Sequence, residues 1–325
     1  MRSPRTPQRP GVALQGGNSP GNRLSLEALA GAGLSRRRLI RLLPAWAAGM
    51  GLSMAWGQVA SAGSRGDSLH LLATADSGSG DANQRAVGAR MAAVHRRQPV
   101  DLVLMGGDNI YPSGDLALVE QTFRRPYRQL LEAGVPFHAV LGNHDIRTRN
   151  GEPQLAYPPF GMKGRWYTLR RGPVAIFLID TNVNAPWQHQ LPWLRRELAA
   201  SDAPWKVVVG HHPLYSSGFY GNDRTAIARL APLFSRHRVQ LYINGHDHNY
   251  ERSKPIKGTT YLTVGGGGAV LRPVVATEQS ARAVSVHSFA EITVVGERMM
   301  ISGWDLRGRP IDRAVINPAG ATVPA

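Results

Sequence analysis

Five short motifs, in fixed order along 325 residues, carry side chains able to hold a metal ion through oxygen or nitrogen. They are Asp76-Ser-Gly78, Gly107-Asp-Asn-Ile-Tyr111, Gly142-Asn-His-Asp145, Val208-Val-Gly-His211 and Gly245-His-Asp-His248. Asp76, Asp108, Asn143, His211, His246 and His248 offer carboxylate, amide and imidazole donors, and Tyr111 adds a phenol that can ionise. Hard and borderline donors of this kind suit Fe, Mn or Zn and argue against Cu(I) or an iron–sulfur cluster. A carboxylate can bridge two cations, one on each oxygen, and the bridge holds them about 3.5–4 Å apart, close enough for both to touch one phosphate. Asp108 is the natural bridge, since its loop also offers Tyr111. Taken alone, Gly142-Asn-His-Asp145 is an ordinary turn. Two histidines one residue apart, as in 245–248, are poor core material. Together the five motifs describe a site for two metal ions, a device for cleaving phosphate esters.

Each motif follows a short apolar run that reads as a strand. Strands are expected over 69–74, 102–105, 137–141, 174–180, 206–209 and 241–244, alternating with helical patterns, which predicts an α/β fold. Asp81 with Gln84 resembles a capping box opening a helix through Val87, Met91 and Val94. Residues 116–132 read as a helix kinked or split at Pro126. Leu191, Leu194 and Leu198 mark a further helix, and Ile227, Leu230 and Phe234 another. Past Gly245 the pattern turns to strands at 259–264, 291–295 and 299–304, the last two joined by a tight turn at Gly296. Open α/β sheets bind ligands beyond the carboxyl ends of their strands, so residues distant in sequence converge there. Asp180 and Asn182 end a strand on the same rim without matching a ligand position. The run 265–268 reads as a flexible loop, because no Gly-Lys-Ser/Thr follows to make a phosphate cradle. Phe219, Tyr220 and Asn222 either line a substrate mouth or cover the core. His70, His95, His138, His189, His237 and His287 read as structural.

A hydrophobic fraction of 42% supplies a substantial core. No cysteine occurs, which excludes disulfides, thiolate ligands and lipid attachment through cysteine. The formal net charge is +16, but eight arginines fall within the first 62 residues and the rest are scattered, with lysine only at 163, 206, 254 and 257. That dispersion argues for general affinity toward anionic substrates and against specific nucleic-acid binding. Residues 1–34 lack apolar periodicity and read as disordered. Arg36-Arg37-Arg38 then precede an uncharged apolar stretch over 42–60, and Ala60-Ser61-Ala62 offers the small residues of a cleavage site. This resembles a twin-arginine export signal over residues 1–62 ahead of one domain at 63–325, which implies a periplasmic or secreted protein with no lasting membrane association. The oligomeric state has no signal in the sequence.

The motif set is similar to that of the calcineurin-like metallophosphoesterase superfamily, and specifically to the purple acid phosphatases. Their pattern is D-x-G, G-D-x-x-Y, G-N-H-D/E, V-x-x-H and G-H-x-H, matched here over 69–264, and His248-Asn-Tyr-Glu-Arg-Ser253 continues in the manner of that family. Gly78 stands where most of the superfamily has histidine, and Tyr111 supplies a donor its relatives lack; the joint change points to the purple branch. The resemblance implies a β-sandwich flanked by helices (α/β/β/α) with the metal site at the carboxyl ends of the strands. It implies a first ion held by Asp76, Asp108, Tyr111 and His248 and a second by Asp108, Asn143, His211 and His246. It further implies Fe(III) at the tyrosinate position, Fe(II), Zn(II) or Mn(II) beside it, and hydrolysis of small phosphomonoesters by metal-activated water at acidic pH. His144 then faces the phosphate, oriented by Asp145. The family carries a histidine nine or ten residues beyond the fourth-motif ligand, where this chain has Tyr220 and Gly221. His144, Tyr220 and His212 are therefore all candidates for protonating the leaving group. A phosphodiesterase or nucleotide hydrolase on the same metals, and a metal-binding protein without turnover, are the alternatives.

Overall fold

The computed structural model describes residues 68–323, so the leader read over 1–62 lies outside the described residues. The first half alternates strand and helix: β1 (Ser68–Thr74), α1 (Ala82–Arg97), β2 (Leu102–Met105), α2 (Arg128–Glu132), β3 (Phe137–Ala139), α3 (Glu152–Leu155) and β4 (Tyr167–Arg171). It continues through β5 (Val174–Leu178), α4 (Trp187–Ala200), β6 (Trp205–Val209), α5 (Arg224–Arg236) and β7 (Leu241–Asn244). Strands follow alone: β8 (Tyr250–Ser253), β9 (Thr260–Val264), β10 (Ser280–Val284), β11 (Ser288–Val295), β12 (Arg298–Asp305), β13 (Pro310–Ile316) and β14 (Thr322–Val323). They form two seven-stranded sheets, ordered β14-β13-β12-β11-β1-β2-β3 and β10-β8-β9-β7-β6-β5-β4. β1, β2 and β3 run parallel in the first sheet, and β5, β6, β7 and β9 run parallel in the second.

Alternate residues of each strand enter different cores. Leu69, Leu71 and Ala73 of β1, Val207 and Val209 of β6, and Leu241 and Ile243 of β7 pack between the sheets. Leu72 faces outward onto Val87 and Met91 of α1, while Phe177, Val208 and Tyr242 face Leu194 and Leu198 of α4 and Leu230 and Phe234 of α5. Strands covered on both faces read as unbroken apolar runs, which is why these were legible. The result is the expected sandwich of two mixed sheets between helices.

Local signals resolved with small shifts. Asp81 caps α1 by accepting from Gln84 N at 2.9 Å, and Gln84 Oε1 reaches back to Gly80 N at 2.7 Å, one residue beyond the usual box. The helix expected over 116–132 breaks into a tight turn at Leu116–Leu118, a wide turn at Glu120–Arg124 and α2, because Pro126 cannot continue the ladder. Val295 pairs with Arg298, leaving a two-residue hairpin turn that starts at Gly296, whose φ is 53°. β8 escaped the sequence reading because it carries buried charges: Arg252 forks onto Asp312 at 2.6 and 2.9 Å, and Tyr250 joins the same carboxylate at 3.0 Å. Such text does not look like a strand interior.

Candidate metal centre

The motif loops leave parallel strand ends at one rim: Asp76 after β1, Asp108 after β2, Asn143 after β3, His211 after β6 and His246 after β7. Main-chain bonds stitch them together. Asp76 N donates to Gly107 O at 3.0 Å, Gly78 N to Asp108 O at 3.1 Å and Gly245 N to His211 O at 2.9 Å; Ala75 N reaches Val264 O at 3.0 Å, joining the two sheets. Asp76, Asp108 and His246 hold φ angles of 53°, 52° and 69°, a left-handed conformation that raises the energy of a non-glycine residue by about 1–3 kcal/mol. Packing of the sheets maintains it. Gly78 permits the close approach that brings tyrosine in: a Cβ there would strike the Asn109 backbone, and Gly78 O accepts from Tyr111 N at 2.9 Å. The 265–268 run is closely packed, contrary to the flexible loop expected; Gly267 N donates to Ala75 O at 3.1 Å.

The Tyr111 hydroxyl lies 3.2 Å from Asp76 Oδ1, 3.0 Å from Asp108 Oδ2 and 3.2 Å from His248 Nε2. Toward the other side, His211 Nε2 is 3.6 Å from Asp108 Oδ2 and 3.1 Å from Asn143 Oδ1. Ligand atoms of Asp76, Asp108 and His211 fall within 4.8 Å of one another, as do those of His211, His212 and His246. His211 Nδ1–H donates to Gly106 O at 2.9 Å and His248 Nδ1–H to Val270 O at 2.7 Å, which turns both Nε2 lone pairs toward the cluster.

Cations fit these residues. Two donors each about 2.1 Å from one ion at a right angle stand about 3.0 Å apart, close to the separations around Tyr111. Asp76, Asp108 and Asp145 are all buried, and among the described residues no lysine or arginine forms an ion pair with any of them. Buried carboxylates without counter-charge are strongly disfavoured. Burial alone would raise the Asp76 carboxyl, but His248 and His211 hold it below its ordinary value. Burial opposes charge on His211 and His248, yet Asp108 and Asp76 raise the first and Asp76 the second. Burial, then Asp76 and Asp108, push the Tyr111 hydroxyl far above the tyrosine range. A phenolate there therefore requires a cation to offset those charges.

His144 borders the cluster. Its Nδ1–H donates to Pro112 O at 2.7 Å, and its Nε2 lies 4.0 Å from Asp108 Oδ2 and 3.3 Å from Arg147 Nη2. The expectation that Asp145 orients His144 is corrected by the structure. Neighbouring residues of a helical turn point apart, and Asp145 turns inward. It accepts from the main-chain N–H of Asn109, Ile110 and Gly142 and from the side chains of Asn109 and Gln154, at 2.8–3.2 Å. Pro112 holds His144, and Asp145 holds the loops. Burial and then the Asp108 charge push the Asp145 carboxyl up to about 7.

His212 Nδ1 lies 2.8 Å from Thr181 Oγ1, which already accepts from His211 N and His212 N at 3.1 and 2.9 Å. With both lone pairs engaged, the hydroxyl donates to Nδ1, placing the neutral ring's proton on Nε2. Burial and then the His211 charge push His212 down to about 3, so it is a hydrogen-bond donor and a poor proton source. Tyr220 stacks on His246 at 4.0 Å and 18°. Arg272 lies over the Tyr220 ring at 4.8 Å and donates to His246 O at 3.2 Å. Burial, then His211, His212 and Arg272, push His246 down. The sequence reading missed Thr181, Gln154, Arg147 and Arg272, whose types and spacing carry no signal before folding. Asp180 pairs with Arg165 at 3.0 Å, which also reaches Glu152 at 2.8 Å, and Asn182 Nδ2 donates to Leu141 O at 3.3 Å, so Asn182 buttresses the start of the 141–145 loop. His70 is structural, held by Glu291 at 2.9 Å.

The calcineurin-like phosphoesterase family profile matches residues 69–250. Among curated proteins the chain is similar to purple acid phosphatase 7 of Arabidopsis thaliana, 31% identical over 236 residues that span 63% of this chain and 72% of the other. It is also similar to tartrate-resistant acid phosphatase type 5 of Sus scrofa, 27% identical over 57% of this chain and 64% of that protein. Among solved structures it resembles the purple acid phosphatase PPD1 from yellow lupin (Lupinus luteus), with a TM-score of 0.68 and 20% identity, covering 77% of this chain and 54% of the other. GAP50, described as the anchor in the inner membrane complex of Plasmodium, has a TM-score of 0.67 and 22% identity over 77% of this chain and 89% of that one. Both structural likenesses concern the fold alone.

Proposed function

Because the chain belongs to the calcineurin-like phosphoesterase family, we propose that it is a dinuclear phosphomonoesterase of the acid-phosphatase type. One observation carries the reading: the Tyr111 hydroxyl lodges among Asp76, Asp108 and His248, brought there by a glycine at position 78. Asp76, Asp108, Tyr111 and His248 would hold one ion, and Asp108, Asn143, His211 and His246 the other. The phenol favours Fe(III) in the first position, with Fe(II), Zn(II) or Mn(II) in the second. When bound, the pair supplies Lewis acidity, activating water and neutralising charge that gathers on the phosphoryl oxygens.

The chain's own residues supply the rest. Pro112 fixes the His144 ring so that Nε2 faces the Asp108 side, where it can hand a proton to the leaving oxygen. His212 offers Nε2–H as a fixed hydrogen bond to a phosphoryl oxygen. Tyr220 and Arg272 cover His246 and limit water on that flank. The substrates in this reading are small phosphorylated molecules and not specific nucleic acid. The leader would carry the protein to the periplasm or outside the cell without lasting membrane attachment; among the described residues no helix is long and apolar enough to cross a membrane.

The test compares hydrolysis of p-nitrophenyl phosphate with its bis ester by metal-loaded protein and by Asp108→Ala. Preference for the monoester, lost together with bound metal in the variant, is expected. A clear preference for the diester would replace this reading with a phosphodiesterase, and no turnover at any pH would leave a metal-binding protein.

A further inference from the structure

Beside the metal centre lies a cavity that the mechanism above leaves unused. Its volume is 340 Å³, and its walls include Val183, Trp187, His212, Ala226, Arg229 and Leu230. Small-molecule sites span about 300–1,000 Å³. His212 belongs to both places: a ring nitrogen lies within 4.8 Å of the ligand atoms of His211 and His246, and the same residue lines the cavity. The cavity therefore stands one imidazole ring away from the candidate metal position.

The lining has a definite chemistry. Ala226 and Leu230 project from the first two turns of α5, and Leu230 is buried. Val183 stands at the rim 97% exposed, an apolar side chain left in water. Arg229 lies over the Trp187 ring at 4.4 Å, and among the described residues no carboxylate pairs with it. A flat ring can lie along these apolar walls, with the guanidinium–indole pair at its side. Thr181, Asn182, Asp223 and Thr225 also line the cavity. Thr181 Oγ1 and Asp223 Oδ1 already accept main-chain N–H groups, however, and Asn182 Nδ2 is held by Leu141 O and Asp180. A small polyol or a second phosphate would therefore find mainly Arg229 to replace its lost water.

We propose that this cavity receives the leaving group of the substrate and selects aryl phosphomonoesters over small aliphatic ones. The inference rests on the phosphomonoesterase reading, but it can be measured by binding alone. The probes are phenylphosphonate and methylphosphonate, which present the same anion with and without a ring and are not hydrolysed. Calorimetry on the full-length, metal-loaded protein should show phenylphosphonate bound at least about tenfold more tightly, the scale on which an apolar pocket discriminates. Ala226→Trp fills the cavity and should bring the two affinities within about twofold, with methylphosphonate binding and metal content unchanged. Trp187→Ala, which inserts no bulk, should lower the same ratio and covers the case in which Ala226→Trp fails to fold. With substrates, Ala226→Trp should raise KM for phenyl phosphate and leave glycerol 2-phosphate unaffected. Equal affinities in the wild type, or a ratio that neither variant changes, overturns the proposal while the phosphatase reading stands. Phenyl-selective binding without hydrolysis of any ester overturns the phosphatase reading and supports the cavity's selectivity.

Discussion

Replacing Asp145 by alanine tests whether this carboxylate builds the site and does not merely sit next to His144. The side chain is the acceptor for three main-chain N–H groups, those of Asn109, Ile110 and Gly142, none of which has another acceptor among the described bonds. The Asn109 and Gln154 amides keep Val140 O and Gly114 O as partners. A buried donor left unpaired costs about 1–3 kcal/mol, so three stranded together cost about 3–9 kcal/mol, a large part of a domain stability of about 5–15 kcal/mol. The loss depends on pH with a definite sign. Burial and Asp108 raise the folded-state value from 3.8 to about 7, so between those limits the folded protein binds more protons than the unfolded chain. The wild-type residue thus loses stabilising effect as pH rises through that window, and the variant should suffer most near pH 5 and least near pH 8. Urea unfolding of chelator-treated protein at the two pH values measures both effects through the midpoint at constant slope. A midpoint at pH 5 shifted by less than the equivalent of about 1 kcal/mol, or a loss that grows toward pH 8, would refute the reasoning.

Other outcomes follow from the same geometry. Gly142→Ala places a methyl against the Asp108 main chain and carboxylate; elemental analysis should find bound metal reduced from about two ions to less than one per chain, with the circular dichroism of the fold unchanged. Tyr111→Phe removes a phenol whose proton must leave when a cation enters, so metal loading followed in weakly buffered solution should release about one proton fewer per chain. The visible absorption band expected of iron at that position should vanish as well. At the far end of β1, burial favours a neutral Glu291, but His70 at 2.9 Å, Arg97 and Trp304 hold its carboxyl below the ordinary 4.5. Its stabilisation is therefore present above that value and lost as pH falls through the folded-state value. Glu291→Gln should flatten the acid limb of the stability curve in urea titrations from pH 3 to 7, and an unchanged limb would count against the pairing.

Donor types, their order and the strands that carry them were legible in the residues alone. Strands buried on both faces read as continuous apolar runs, and a metal ligand must be a particular residue type at a loop position, so both leave local marks. The resemblance to the purple acid phosphatases linked Gly78 with Tyr111, a relation the folded loops express as a hydrogen bond and a close backbone approach. Which neighbours face each other emerged only once the chain was folded. Asp145 follows His144 in the chain yet serves the backbone of another loop, because consecutive side chains in a turn diverge. Thr181 sets the proton on His212, Arg272 covers Tyr220, and β8 hides a buried ion pair with Asp312. These contacts join residues 31 to 60 positions apart. Hydrogen bonding and packing at such separations depend on where the sheets bring the loops, and no local pattern of residues encodes that.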